Sequence, residues 1–130
     1  MRDVTALGRG RRAIGTLGEQ AAADYLARAG YQIIKRNYRC RAGEVDIVAR
    51  DGHTLVFVEV RTRTGASFGL PEESITAAKG SRMVATALTY LAEQGEQTDA
   101  DAEWRVDLIA VDVQGGRVAR LRHVKHALQW

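Results

Sequence analysis

With 130 residues, the chain fits one domain and can bury roughly two-thirds of its unfolded surface without disulfides. A hydrophobic share of 45% and a charged share of 27% exclude a fibrous or wholly disordered chain. The single cysteine, Cys40, excludes an internal disulfide and a multi-cysteine zinc site and fits a reducing compartment.

Residues 1–14 carry several arginines with no apolar stretch behind them. They read as a flexible basic arm rather than a secretory signal. The most apolar run, residues 54–60, is far shorter than the ~20 residues a bilayer requires, so no membrane association and a cytoplasmic location are expected. Nineteen Lys and Arg against sixteen Asp and Glu give a net charge of +3 and a pI near 9.3, a weak lean toward polyanionic partners.

Residues 15–130 read as one folded domain. Leu17, Ala21, Tyr25, Leu26 and Ala29 recur at helical spacing, with Gly30 as a stop, which predicts a first helix over 16–29. Thr16 and Glu19, three apart at its start, suit a capping box. Residues 31–39 read as a strand centred on Ile33 and Ile34. Residues 44–49 and 55–61 are two further strands, and Asp51-Gly52 between them signals a hairpin with residues 50–53 as its turn. Residues 62–71 read as a loop ending at Pro71, ahead of a second helix from 72 to about 93 in which Gly80 costs ~1 kcal/mol relative to Ala. Residues 95–103 are acidic and aperiodic and read as a solvated loop. Residues 104–111 and 117–124 form a last strand pair, followed by a short tail to Trp130. The order α-β-β-β-α-β-β, with central strands apolar on both faces, predicts a mixed α/β sheet flanked by helices.

A turn over 50–53 sets Ala49 against Thr54, Asp46 against Phe57 and Glu44 against Glu59. Alternation then puts Val45, Ile47, Val56, Val58 and Val60 on one face, and Glu44, Asp46, Leu55, Phe57, Glu59 and Arg61 on the other. Carboxylates 5 to 7 Å apart repel by roughly 2 to 3 kcal/mol per pair at an effective dielectric of 20. A bound divalent cation or the Arg61 guanidinium would relieve that repulsion. The structural alternative sets Glu44 and Glu59 at wet strand ends, with Asp46 capping turn-side backbone. An acid set inside Leu-Val-Phe-Val-Glu-Val argues against it, because it is costly to bury without a partner.

Asp46, followed after twelve residues by Glu59-Val60-Arg61, resembles the PD-(D/E)xK nuclease signature. Gly18-Glu19 before an alanine-rich helix, Gly43-Glu44-Val45-Asp46-Ile47-Val48, residues 56–63 as Val-Phe-Val-Glu-Val-Arg-Thr-Arg, and residues 106–111 as Val-Asp-Leu-Ile-Ala-Val extend the resemblance to the bacterial YraN family. The resemblance implies a restriction-endonuclease-like fold, akin to Holliday-junction resolvases, and a metal-dependent endonuclease acting on DNA, including branched DNA, as a homodimer. It implies Mg²⁺ or Mn²⁺ held by Asp46 and Glu59, with the Val60 carbonyl, Glu19 and Glu44 as further oxygens. Glu19 thus has two readings, cap and metal shell.

Arg61 stands where the signature has lysine. Arginine stays protonated, so Arg61 suits phosphate steering and charge stabilisation rather than general-base work. A nucleic-acid-binding module with a degenerate site is therefore the alternative to an enzyme. Arg63, Lys79 and Arg82 are candidate phosphate contacts, the last two three apart on one helix face. His53, His123 and His126 form no metal-binding motif and read as surface or capping residues.

Overall fold

The computed structural model describes residues 4–65, 75–94 and 103–128, with side chains from Gly10 onward. In chain order the elements are α1 (Val4–Arg28), β1 (Gln32–Cys40), β2 (Gly43–Asp51), β3 (Thr54–Thr64), α2 (Ala77–Gln94), β4 (Trp104–Gln114) and β5 (Arg117–Val124). They form the expected mixed α/β arrangement. The five strands lie side by side in sequence order. All neighbours are antiparallel except β3 and β4, which run parallel, and the connection between those two contains α2, as a parallel step needs a long crossover. Among the described residues, no helix is long and apolar enough to cross a membrane.

Two apolar clusters sandwich the sheet. On one face α1 sets Ala22 and Leu26 against Ile47, Val56, Val58, Ile109 and Val111. On the other, α2 sets Met83, Ala87 and Tyr90 against Val45, Val48, Phe57 and Val106. Phe57 has no exposed surface, which contributes up to ~3 kcal/mol. It meets the Tyr90 ring edge-on with centroids 5.6 Å apart.

Several boundaries depart from the sequence reading. The first helix begins at Val4 rather than Thr16, so residues 4–14 are helical where a flexible arm was expected. The segment holds no proline, and its glycines cost only ~1 kcal/mol each. Thr16 is consequently inside the helix and cannot cap it. At the other end the expected stop holds: Gly30 takes φ 93°, and Tyr31 N–H reaches back to the Leu26 carbonyl at 2.9 Å, closing the helix in a left-handed cap.

The second helix starts at Ala77, because Thr76 caps it: its Oγ1 accepts the Lys79 N–H at 3.1 Å. The expected start at Glu72, like Pro71 itself, lies outside the described residues, as do residues 95–102 of the acidic loop and Trp130. Residues 62–64, expected as loop, continue β3, since Thr62, Arg63 and Thr64 still pair with Val111, Asp112 and Val113 of β4.

The β2–β3 hairpin is tighter than expected. Asp51 faces Thr54, leaving Gly52 and His53 as a two-residue loop, with Gly52 at φ 61° as such turns require. Val48 therefore faces Phe57, and Ile47 faces Val58. The register has moved by two residues, so face parity survives while the opposing partners change. One face assignment also changes. Val45 packs with Val48 on the α2 side rather than with Ile47 on the α1 side.

Candidate active site

The reversal at Val45 has a local cause. Asn37 of β1, at φ 55°, and Asp46 of β2 face each other between the pairs Arg36–Ile47 and Tyr38–Val45. Ile47 packs toward α1, whereas Tyr38 and Val45 pack toward α2. The hairpin thus turns over at this level, and Asp46 sits on the turn-over point.

The β2–β3 ladder ends at Ile47–Val58, and one more step of the same register puts Asp46 level with Glu59. Here Asp46 supplies what the missing ladder pair does not: its Oδ2 accepts the Val60 N–H at 2.7 Å. β3 meanwhile stays paired with β4 out to Thr64. The strands fork, and the acid occupies the fork. The tighter turn therefore corrects the expected partners, placing Glu59 rather than Phe57 beside Asp46.

Burial drives the Asp46 carboxyl up to about 7, helped by the nearby charge of Glu59 and more weakly by Glu19 and Glu44, while the Val60 N–H pulls the other way. A carboxyl pushed up toward neutrality by burial and by a second carboxylate is a recurrent property of functional sites. Glu19 is close enough to act on Asp46 because α1 is drawn tightly onto β3. A Cβ built on Gly18 would overlap Thr62 Oγ1 and stand 2.9 Å from Thr62 Cβ, so only glycine permits this approach.

A cavity of about 340 Å³ opens over the pair, lined by Gly43, Glu44, Asp46, Glu59, Lys79, Arg82 and Met83. Both helix cations expected to handle phosphate thus reach the site. Lys79 does more than line it: its Nζ lies 2.5 Å from Glu59 Oε1, and the two side chains are only 25% and 12% exposed. Arg61 follows Glu59 on the same side of β3 by alternation and pairs in register with Ala110, yet it does not line the cavity. Arg63 is turned to Asp112 at 3.0 Å. Glu44 reaches the cavity rim, where its exposed carboxylate meets Arg39 at 3.1 Å, a pairing of little energetic weight.

Among the described residues, no group of three or more His, Cys, Asp or Glu is arranged to hold a metal ion. What the site offers is a carboxylate pair. Hard oxygens whose mutual repulsion burial has sharpened fit a hard divalent cation, and Mg²⁺ commonly binds through one or two carboxylates together with substrate phosphates.

Sequence reasoning missed a second polar cluster on the α1 side. Asp107, with no exposed surface, is bonded by Arg105 Nε at 3.0 Å and His123 Nε2 at 2.7 Å. His123 Nδ1 meets the Tyr25 hydroxyl at 2.9 Å, and Arg105 also donates to Tyr31 at 2.8 Å. The His123 ring is 5% exposed, which corrects its reading as a surface residue. Arg-Val-Asp inside an otherwise apolar strand was the available signal, since buried charges must be paired.

The chain resembles known proteins over most of its length. A 50% identical relative from Chloroflexus aurantiacus, a UPF0102 protein, aligns over 88% of this chain and 91% of its own. UPF0102 proteins from Pelotomaculum thermopropionicum, 48% identical over 90% of this chain and 96% of theirs, and Geobacter metallireducens, 44% identical over 91% and 93%, align similarly. Among solved structures, SfsA from Pyrococcus furiosus in complex with Ca²⁺ superposes with a TM-score of 0.41 at 13% identity, covering 88% of this chain and 63% of that one. The model of the uncharacterised protein family UPF0102 matches residues 18–111, a span holding Glu19, Asp46, Glu59, Arg61 and Lys79, and the chain belongs to that family, the YraN family.

Proposed function

We propose that this protein is a Mg²⁺- or Mn²⁺-dependent endonuclease of the PD-(D/E)xK type that hydrolyses DNA phosphodiester bonds, branched or junction DNA being its expected substrate. The observation that carries the reading is the forked carboxylate pair, in which Asp46 is raised to about 7 beside Glu59. The element order and mixed sheet support it, being those that the family resemblance implies.

In this reading Asp46 and Glu59 hold the cation, with the Val60 carbonyl, Glu19 and Glu44 as further oxygen donors. When bound, the ion supplies an acidified water and neutralises charge on the phosphoryl oxygens. Asp46 is kept oriented by the Val60 N–H. Lys79 brings to Glu59 an ammonium that can equally donate to a phosphoryl oxygen, and it comes from α2 rather than from the position that Arg61 occupies. Arg82, also on the cavity wall, extends the reach for phosphate. Arg61, permanently protonated, stabilises charge near the scissile group without accepting a proton.

The second reading is a nucleic-acid-binding module without turnover. It is favoured by one observation, that Lys79 already neutralises Glu59. Incubation of linear and branched DNA with Mg²⁺ or Mn²⁺ separates the two. Metal-dependent cutting that disappears in Asp46→Ala and Glu59→Ala supports the enzyme. Salt-sensitive binding without cutting, with cutting gained in Arg61→Lys, supports the module. Equal cutting by parent and both alanine variants identifies a contaminant and ends the enzymatic reading.

A further inference from the structure

The Glu59 carboxylate is held by a cation of the chain's own. Lys79 Nζ lies 2.5 Å from its Oε1, with the two side chains 25% and 12% exposed. A carboxylate so deeply placed is costly without a counter-charge, and the ammonium supplies one. Lys79 reaches it from the first turn of α2, which begins at Ala77 and holds no acidic residue in that turn. The positive end of a helix dipole favours an acid at such a position and disfavours a cation. The lysine is therefore explained by Glu59 and not by the helix that carries it.

Lys79 and the divalent ion of the nuclease reading call on the same oxygens. Among the described residues the ammonium forms its ion pair with Glu59 alone, although Asp46 lines the same cavity. A compact point charge on a flexible stem satisfies one carboxylate, whereas a divalent cation takes oxygens from several. The stem also makes the pair exchangeable. The Lys79 backbone is fixed, since Thr76 Oγ1 accepts its N–H at 3.1 Å, so only the side chain needs to move. The cavity of about 340 Å³ that it lines gives the ammonium room to leave Glu59 while α2 stays in place. Once released, its three N–H donors are open to a phosphoryl oxygen.

We propose that Lys79 is a displaceable counter-ion: it occupies on Glu59 the place that the divalent cation takes, and swings off into the cavity when the ion binds. The inference rests on the nuclease reading for the ion, and on the Lys79–Glu59 contact for the exchange. Glu59 is then never left as a bare buried charge. Ammonium and metal compete for it, so whatever draws Lys79 away strengthens metal binding, and the metal strengthens the hold of Lys79 on that group by the same factor.

Two measurements test the exchange, neither of them turnover. In Mn²⁺ titrations at constant pH, Lys79→Met should bind the ion about fivefold or more tightly than the parent, the low end of ordinary coupling between sites. Arg39→Gln removes the exposed cation that pairs with Glu44 on the cavity rim and should shift the affinity by about twofold or less. The second measurement is trace reductive methylation of the parent with formaldehyde and cyanoborohydride, read by peptide mass spectrometry. Lys35 and Lys125, the other lysines of the chain, are exposed and serve as references. Lys79 should react more slowly than both in EDTA and should speed up by about fivefold or more in saturating Mn²⁺, with the references unchanged. Should Lys79→Met fail to fold, the methylation of the parent decides.

A parent that binds Mn²⁺ while Lys79 keeps its reactivity overturns the exchange and leaves the metal site standing. Lys79→Met binding no more tightly than the parent, or Arg39→Gln gaining as much as Lys79→Met, overturns it as well. Binding by Lys79→Met and not by the parent supports it in its strongest form. Failure of both to bind the ion removes the metal-dependent reading and the exchange together.

Discussion

Replacing Asp46 by Asn should make the protein more stable at alkaline pH than the parent, by an amount that vanishes toward acid. The carboxyl is raised from 3.8 to about 7 by burial and by Glu59, so the native state holds its proton more tightly than the unfolded chain does. The stabilisation tied to that proton is complete below about pH 4 and is lost as the pH rises through about 7. At ~1.4 kcal/mol per pH decade, the full difference bounds the effect near 4 kcal/mol. Asp46 keeps some solvent contact and shares the repulsion with Glu59, so a parental loss on the order of 2 kcal/mol between pH 5 and pH 8 is the expected size. The substituted amide keeps an acceptor for the Val60 N–H and does not titrate. Urea unfolding of both proteins in EDTA at pH 5, 6, 7 and 8 reads the difference directly. A gap between variant and parent that stays constant over this range would show that Asp46 is not held in an environment hostile to its charge.

Lys79→Met removes the counter-ion of a carboxylate that is 12% exposed and should cost about 1 to 3 kcal/mol in urea unfolding at pH 7, with Lys79→Arg recovering part of it. Gly18→Ala forces a methyl group into Thr62 and should lower stability by about 1 to 3 kcal/mol in thermal melts, with Gly18→Ala/Thr62→Ala less destabilised than the sum of the two single variants. Asp107→Ala strands Arg105 and His123 and should cost about 3 to 5 kcal/mol. Asp107 itself is lowered by its bonds to His123 and Arg105, which outweigh the opposing effect of burial. Its contribution is therefore present above about pH 4 and lost as the pH falls through its folded value, and the variant should flatten the acid limb of the stability profile.

The element order was legible because periodicity changes cleanly along the chain: helical spacing from Leu17 to Ala29, then alternation, then helical spacing again around Met83 and Ala87. Boundaries set by side-chain detail were not. Thr76 caps α2 through one hydroxyl, and α1 extends to Val4 through residues of no clear pattern. The carboxylates were visible as acids in apolar strands. Their pairing was misread by two positions because Asp51-Gly52 suggested a longer turn than the one formed by Gly52 and His53. That slip preserved parity, so the face was right and the partners were wrong. The turn-over at Asn37 and Asp46 left no periodic trace, and it is the feature that opens the strand fork. Lys79 was visible as a helix cation, but its meeting with Glu59 depends on how α2 crosses the sheet, which spacing along one strand does not encode.

A metal-dependent site requires Asp46 and Glu59 to act together on one divalent cation. Titration of the parent, Asp46→Asn and Glu59→Gln with Mn²⁺ at pH 8, followed by the loss of the free-ion paramagnetic resonance signal, addresses it without any assay of turnover. The parent should bind the ion, and each variant should bind it at least tenfold more weakly. Undiminished binding by both variants would contradict that requirement.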